Sequence, residues 1–201
     1  MEVLYLEYYN LLSIKNFYHV SGEDRIKINN SIDKNYLNSP VSRGITKDGY
    51  NFPLSLDDTL FFFKLYEKYK KVCYELFGNF NITPPKVRKN APRMWCYRSS
   101  KEWARSNWHN HLASSTINGV YYYQVDGDGI LFESQGKEYH YIPEQGELLI
   151  FPNDLNHRPD ITTSDTLRYS INMEITTQES ASTLFKNLYG FFERHCKRNR
   201  R

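Results

Sequence analysis

Three histidines form the pattern in this sequence with the clearest chemical meaning. His109 and His111 are separated by one residue, and His157 follows a predicted strand that ends at Phe151. Side chains at positions i and i+2 of a strand share one face, so His109 and His111 are placed to reach one ion. His157 would join them from a neighbouring strand. Three neutral imidazoles suit Fe(II), Zn, Cu or Ni and leave part of the coordination sphere open.

A candidate receptor for an anion lies further along the chain. Arg168, Ser170 and Asn172 alternate within a predicted strand over residues 167–175, so their side chains share one face. A guanidinium group binds a carboxylate through two parallel hydrogen bonds. An arginine inside a β-roll is costly without such a partner. Arg168 with Ser170 therefore predicts a carboxylate site, and the alternative is an arginine that points outward into solvent.

Short aromatic and β-branched segments must position these groups. Turn signals at residues 126–129, 135–136 and 144–146 separate the segments. Several antiparallel strands at this spacing predict a sandwich or a jelly roll. The predicted strands cover residues 94–97, 117–125, 130–133, 138–142, 147–151 and 167–175.

Helices are predicted on both sides of the strand region. Apolar residues repeat every three or four positions over residues 57–77, and Gly78 follows as a stop signal, so this segment predicts a helix that supports a sheet. A second amphipathic segment predicts a final helix over residues 178–196. Residues 23–51 are rich in Asn, Ser, Gly and Lys and are interpreted as loops with short strands.

Composition limits the class of protein. The chain has 201 residues, of which 40% are hydrophobic and 16% aromatic, so one folded domain is expected and whole-chain disorder is excluded. The sequence contains no apolar run of membrane-spanning length and no secretory signal, which favours a soluble cytoplasmic protein. Its three cysteines are far apart, so neither a disulfide framework nor a cysteine zinc site is expected.

Positive charge is concentrated in two segments, although the net charge is only +3. Residues 194–201 form a basic tail without acids, and residues 86–105 form a basic strip with interspersed aromatic residues. We interpret both segments as solvated surface. The alternative is a contact with nucleic acid or an acidic peptide.

The order of the motifs over residues 92–175 resembles the Fe(II)/2-oxoglutarate-dependent dioxygenase superfamily, and most closely its prolyl-hydroxylase-like branch. The resemblance implies a mainly β protein with flanking helices, built on a double-stranded β-helix, the cupin-like jelly roll. It also implies one oxygenase domain over residues 1–201, in which an N-terminal extension (1–90), a jelly-roll core (91–176) and a C-terminal helix with basic tail (from 178) follow one another. The motifs are His109-Asn-His111, Gly119-Val-Tyr-Tyr-Tyr123, Gly129-Ile-Leu-Phe132, the segment 143–152, His157 and Arg168-Tyr-Ser-Ile171.

The resemblance also implies roles for individual residues. His109 matches the first metal ligand and His157 the last, and no catalytic residue beyond the ligands is implied. Five residues match the pocket of the cosubstrate: Arg168 and Ser170 for its distal carboxylate, Tyr122 for the same group, Leu131 as an apolar wall, and Tyr97 on the preceding strand. The implied cofactors are Fe(II), 2-oxoglutarate and O2, with release of succinate and CO2. By analogy with the prolyl-hydroxylase branch, the expected reaction is hydroxylation of a peptide or an amino acid.

His111 departs from the pattern of the superfamily, which has Asp or Glu at the middle ligand position. A carboxylate cancels one charge of the iron, whereas a third imidazole does not. Either the site holds its metal with three histidines, or His111 turns away and leaves the position to water, chloride or Asp154. Loss of the carboxylate is also the change by which related halogenases open a halide site.

Two other functions remain compatible with the residues. A cupin-like metalloenzyme that does not use 2-oxoglutarate would keep the histidines but would not need Arg168 inside the roll. A non-catalytic jelly-roll binding module would need neither, and its contact would be the basic tail.

Overall fold

The computed structural model describes residues 2–38, 50–53, 60–84, 93–99, 107–125, 129–160 and 167–196. Several sequence expectations lie outside these ranges. They are the helix start at residue 57, most of the basic strip, the turn residues 126–128 and the tail from residue 197.

Two antiparallel sheets form the body of the molecule. The seven-stranded major sheet has the order β1-β2-β8-β5-β10-β4-β3, and the three-stranded minor sheet has the order β7-β6-β9. The strands are β1 (Glu2–Leu6), β2 (Leu11–Lys15), β3 (Tyr50–Pro53), β4 (Met94–Ser99), β5 (Ile117–Gln124), β6 (Ile130–Ser134), β7 (Lys137–Tyr141), β8 (Leu148–Pro152), β9 (Asn156–Pro159) and β10 (Arg168–Ile175). The mainly β architecture predicted from the sequence is confirmed.

The alternation of side chains along each strand separates two cores. On β5, Tyr121 and Tyr123 belong to the larger core beneath the helices, whereas Val120 and Tyr122 belong to a smaller core between the two sheets. We call this second core the roll interior. Since successive side chains of a strand point to opposite faces, every second residue of β4, β5, β8 and β10 faces the roll interior.

Helix α2 (Leu60–Phe77) supports the outer face of the major sheet, as the sequence predicted. It ends where Gly78 adopts a φ of 79°, a left-handed conformation that glycine adopts without steric cost. Tyr69 of α2 is fully buried, and its hydroxyl donates to the carbonyl of Ile117, 3.1 Å away. Its ring lies over Gly119, where a Cβ atom would come within 2.6 Å of a ring carbon. Glycine at this position therefore allows the helix to approach the sheet.

The prediction for residues 23–51 is wrong over its first part, where the chain forms helix α1 (Gly22–Asn38). Ser21 caps this helix: its Oγ accepts from the backbone N–H of Asp24 at 3.2 Å and donates to the Asp24 carboxylate at 2.8 Å. Ile28 and Ile32 are buried one turn apart. The capping pattern outweighs a composition that is otherwise typical of loops.

The N-terminal segment adds two strands that the sequence did not indicate. Strands β1 and β2 were not predicted, yet they extend the major sheet beyond β8, and β2 is almost wholly buried. Strands this short give too few alternations to identify. At the other end, the predicted final helix is confirmed as α3 (Ala181–Cys196), which begins just after Ser180, whose Oγ accepts from the N–H of Thr183 at 3.2 Å. Within the described ranges, no helix has the length and apolar character needed to cross a membrane.

Candidate active site

The three histidines converge at one end of the roll. One nitrogen of each ring lies within 4.8 Å of those of the other two. The backbones of His109 and His157 are paired, with N–H to carbonyl distances of 3.1 and 2.9 Å, and the N–H of His111 donates to the carbonyl of Asn153 at 2.8 Å. Residues 109–111 make only an isolated bridge instead of the predicted strand, but both side chains still reach the same point as His157.

An oxygen acceptor lies near Nδ1 of each ring, and for His109 it is the carbonyl of Asn107, 3.3 Å away. Nδ1 of His157 lies 2.9 Å from the carbonyl of Leu155, and Nδ1 of His111 lies 2.8 Å from a carboxylate oxygen of Glu174. Since both partners are acceptors, each neutral ring carries its proton on Nδ1 and turns its Nε2 lone pair inward. The two Nε2 atoms are 3.3 Å apart. Two nitrogens bound at about 2.1 Å to one ion stand at a similar separation, ~3.0–3.4 Å.

The surroundings of the histidines are largely apolar. His157 is buried, and the rings of Phe151 and Phe132 lie 4.8 and 6.3 Å from its ring. Trp95 lies 5.9 Å from the ring of His111. Asp154, the alternative ligand, is exposed and does not belong to the cluster. The structure thus brings His111 to the other two histidines and leaves Asp154 outside.

Arg168 is buried in the roll interior, with 2% of its surface exposed. Its Nη1 donates to the carbonyl of Gly129 at 2.8 Å, and its guanidinium carbon lies 5.3 Å from the centre of the Tyr122 ring. Within the described part of the chain, Nε of Arg168 has no hydrogen-bond partner, and the hydroxyl of Tyr122 makes no well-aligned hydrogen bond, although the Arg168 guanidinium lies next to it. Buried polar atoms without a well-aligned partner are costly, so these two groups are suited to an anionic ligand.

Tyr97, Ser170 and Tyr122 lie in one row across β4, β10 and β5, because Ser170 pairs with Tyr97 on one side and with Tyr122 on the other. All three are buried and lie in register on the inner face of the major sheet. Leu131 is placed differently. It is only partly buried and lies on the face of β6 opposite to Phe132, so the structure does not bring it to the other predicted pocket residues.

Burial controls the protonation of Tyr122. Removal from water raises the pKa of its phenol above the usual range, and the nearby positive charge of Arg168 only partly opposes this shift. The phenol is therefore neutral around pH 7, and its O–H is a donor. A guanidinium and a neutral phenol side by side suit the two oxygens of a carboxylate.

Sequence reasoning missed one polar residue at this site, Glu174. It lies on β10 with 2% of its surface exposed, on the same face as Arg168, Ser170 and Asn172. The alternation that grouped those three residues extends to position 174, so the signal was present in the sequence. Phe132 and Phe151, which form the apolar wall next to His157, were also not assigned to the site.

Comparisons with known proteins give matches at the level of structure only. No model of a known protein family matches the sequence, and no curated protein matches it. The non-heme alpha ketoglutarate dependent carbocyclase SnoK from nogalamycin biosynthesis superposes with a TM-score of 0.60 at 9% identity, over 86% of this chain and 84% of that chain. A 2OG-Fe(II) oxygenase family oxidoreductase from Burkholderia pseudomallei gives a TM-score of 0.59 at 13% identity, over 87% of each chain.

A third solved structure is a prolyl hydroxylase, from the branch of the superfamily that the sequence most resembles. The prolyl hydroxylase from Trichoplax adhaerens, in complex with a peptide fragment of hypoxia inducible factor, gives a TM-score of 0.57 at 13% identity, over 90% of this chain and 86% of that chain. Such likenesses define the fold. The chain has the double-stranded β-helix fold of the Fe(II)/2-oxoglutarate-dependent oxygenases, which confirms the fold predicted from the sequence.

Proposed function

We propose that the protein is an Fe(II)- and 2-oxoglutarate-dependent oxygenase that works as one domain over residues 1–201. The observation that carries the proposal is the pairing of two sites in one roll: three convergent histidines, and a buried arginine and tyrosine with polar atoms that make no well-aligned hydrogen bond. The solved structures with this fold include a named alpha ketoglutarate dependent enzyme and a named 2OG-Fe(II) oxygenase, which supports the assignment.

The spacing of the two sites suits a five-carbon dicarboxylate. Arg168 binds the carbonyl of Gly129, and His157 pairs with Phe132, three residues further along β6. Three residues of strand span about 10 Å. A five-carbon dicarboxylate such as 2-oxoglutarate would span an offset of this order between a guanidinium and the histidines. A shorter acid, such as oxalate, would not reach both ends.

Each residue of the site then has a defined task. His109, His111 and His157 would hold the iron, and Arg168 with Tyr122 would anchor the distal carboxylate of 2-oxoglutarate, with Ser170 and Tyr97 beside it. When bound, the iron and 2-oxoglutarate supply the oxidising chemistry, in which O2 and 2-oxoglutarate give succinate, CO2 and an oxidised substrate. Phe132 and Phe151 exclude water from one side of the metal position. Leu131 has no task in this assignment.

We propose a peptide or amino-acid side chain as the substrate and hydroxylation as the outcome. The support is the likeness to a prolyl hydroxylase that binds a peptide, together with the rim of the site. Beside the histidines, Trp108 and Leu112 are 36% and 62% exposed, and such apolar side chains suit a peptide better than they suit a highly charged ligand. The described part of the basic strip is engaged within the protein, since Arg93 bonds Thr176 and the carbonyl of Thr83.

We also propose that the protein works in the cytoplasm. Cys73 and Cys96 are buried free thiols, and burial raises the pKa of both. A reducing compartment is the usual environment of such thiols.

Conversion of 2-oxoglutarate to succinate tests the proposed reaction without knowledge of the substrate. Purified protein with Fe(II) and O2 should form succinate slowly even without a primary substrate, and His157→Ala should abolish this activity. His140→Ala is the matched control, because His140 is an exposed histidine that pairs with Asp160 on the minor sheet. Equal succinate formation by wild type and His157→Ala would contradict the proposal.

A further inference from the structure

The proposed metal centre has an unusual charge balance. Three neutral imidazoles contribute no negative charge, whereas a divalent cation in a partly buried site is stabilised by an anionic neighbour. The described residues offer one such neighbour in contact with a ligand. Glu174 is 2% exposed, and its Oε1 lies 2.8 Å from Nδ1 of His111.

The contacts of Glu174 hold its carboxylate in this position. Ser114 Oγ donates to the same Oε1 at 2.7 Å. The backbone of Glu174 is fixed as well, because its N–H donates to the carbonyl of Arg93 at 2.9 Å and its carbonyl accepts from the hydroxyl of Tyr66 at 2.9 Å. The carboxylate is thus anchored by β10, helix α2 and the segment that follows His111.

Among the residues that the structure describes, no lysine or arginine forms an ion pair with Glu174. A buried carboxylate without a cation is strongly unfavourable. The hydrogen bond from Nδ1–H of His111 relieves that cost only in part. A metal ion on the other side of the His111 ring would supply the missing positive charge.

We infer that Glu174 is a positioning residue of the metal centre, which holds His111 in its Nδ1–H form and supplies through it the negative charge that the three-histidine set lacks. The inference rests on the proposed metal site. Glu174 acts through His111, because its oxygen binds Nδ1 while Nε2, at the opposite edge of the ring, faces His157. Carboxylates behind ligand histidines typically change metal affinity 10–100-fold.

Glu174→Gln separates charge from hydrogen bonding, because the amide oxygen still accepts from Nδ1–H of His111. In an anaerobic titration with Co(II) alone, we expect this variant to bind about 10–100-fold more weakly than wild type. The negative charge of Glu174 stabilises Fe(III) more than Fe(II). Its loss should therefore also raise the midpoint potential of the Fe(III)/Fe(II) couple. Glu138→Gln, which removes an exposed acid from β7, is the matched control and should change neither value.

Ser114→Ala supplies a second test that does not depend on the folding of the first variant. It removes one hydrogen bond to Oε1 but keeps the charge, so Co(II) binding should weaken less than in Glu174→Gln, because the carboxylate is then held less firmly behind His111. Wild-type Co(II) affinity in Glu174→Gln, or in Ser114→Ala if Glu174→Gln does not fold, would overturn the inference. A lower thermal midpoint of the metal-free protein with unchanged Co(II) affinity would also overturn it, since that result describes a structural role.

Failure of the proposed function gives a different result. If wild type does not bind Co(II), or if His157→Ala binds it equally well, the three histidines are not a metal site and the premise fails. If His157→Ala loses binding and Glu174→Gln does not, the metal site stands and only the role of Glu174 is overturned.

Discussion

Tyr122 and Tyr123 are neighbours on β5 whose side chains lie on opposite faces of the major sheet. The hydroxyl of Tyr122 makes no well-aligned hydrogen bond in the roll interior. We expect Tyr122→Phe to weaken 2-oxoglutarate binding about 10-fold, because one hydrogen bond to a charged carboxylate is worth about 1.5 kcal/mol or more. Stability should change less than in Tyr123→Phe, since only a poorly aligned contact with the Arg168 guanidinium is lost. Calorimetric titration of the Fe(II)-loaded protein measures the affinity.

Tyr123→Phe is the matched control for this prediction. The hydroxyl of Tyr123 donates to Oδ1 of Asn29 at 2.7 Å, on the helix side of the sheet. This variant should lose about 1 kcal/mol of unfolding free energy and keep its affinity for 2-oxoglutarate. The reverse pattern, in which Tyr123→Phe loses the cosubstrate and Tyr122→Phe does not, would contradict the assignment of the two faces.

Arg168 is expected to dominate the affinity for 2-oxoglutarate. Arg168→Gln removes a buried charge that would pair with the distal carboxylate, so binding should weaken at least about 30-fold, equivalent to about 2 kcal/mol. Co(II) affinity should stay at the wild-type value, because Arg168 does not contact the histidines. A 2-oxoglutarate affinity within about 3-fold of wild type, measured by the same calorimetric titration, would instead favour the cupin-like enzyme.

For individual residues, the sequence revealed site candidates through residue type and local spacing. It did not reveal which residues that are distant in sequence are in contact. His109, His111 and His157 share a pattern that a sequence shows, and Arg168 alternates visibly with Ser170. The contact of Glu174 with His111 joins positions 63 apart in the chain, and no local pattern encodes it. For Leu131, a resemblance supplied the role, and the pleat of β6 turns this residue away from the other pocket candidates.

The packing of helix α2 on the major sheet depends on one glycine of the β5 motif. Gly119→Ala would place a Cβ 2.6 Å from the buried ring of Tyr69, so the helix or the ring must move. We expect a loss of about 1–3 kcal/mol in unfolding free energy, measured by urea denaturation. Gly22→Ala is the control, because nothing lies within 4 Å of the added atom. Equal stability of the two variants would contradict this packing.

At the scale of elements, periodicity identified the long and strongly patterned segments. Helix α2 and strand β5 were predicted close to their observed bounds because each repeats its pattern several times. Among the side chains of helix α1 that the structure describes, Ile28 and Ile32 are the buried apolar ones, and the capping pattern at Ser21 was its strong local signal. Strands β1 and β2 were missed because both are short, and because the burial of β2 comes from its place in the sheet between β1 and β8.

Buried tyrosines link the stability of the whole molecule to alkaline pH. Burial raises the pKa of Tyr66, Tyr123 and Tyr141 to about 12, whereas tyrosine in an unfolded chain ionises near 10. Because the pKa of these phenols is higher in the folded state than in the unfolded chain, their burial contributes its full stabilisation below about pH 10. This contribution is lost as the pH rises towards about 12.

We therefore expect ionisation of these tyrosines to leave the urea concentration at the midpoint of unfolding unchanged around neutral pH. The midpoint should fall steeply between about pH 10 and 12. Each such tyrosine contributes up to about 1.4 kcal/mol per pH unit within that interval. Phenolate absorbance recorded on the same samples should rise together with unfolding. Full ionisation of all tyrosines near pH 10 in a protein that is still folded would contradict the burial described here.

The central claim for the whole molecule is that the three histidines and Arg168 form one site for iron and 2-oxoglutarate. Anaerobic addition of Fe(II) and 2-oxoglutarate, followed by visible absorption, tests it most directly, because the chelate of the two has a weak charge-transfer band. We expect a band that requires both components, is absent in His157→Ala and persists in His140→Ala. Binding of Fe(II) without any such band at saturating 2-oxoglutarate would contradict it.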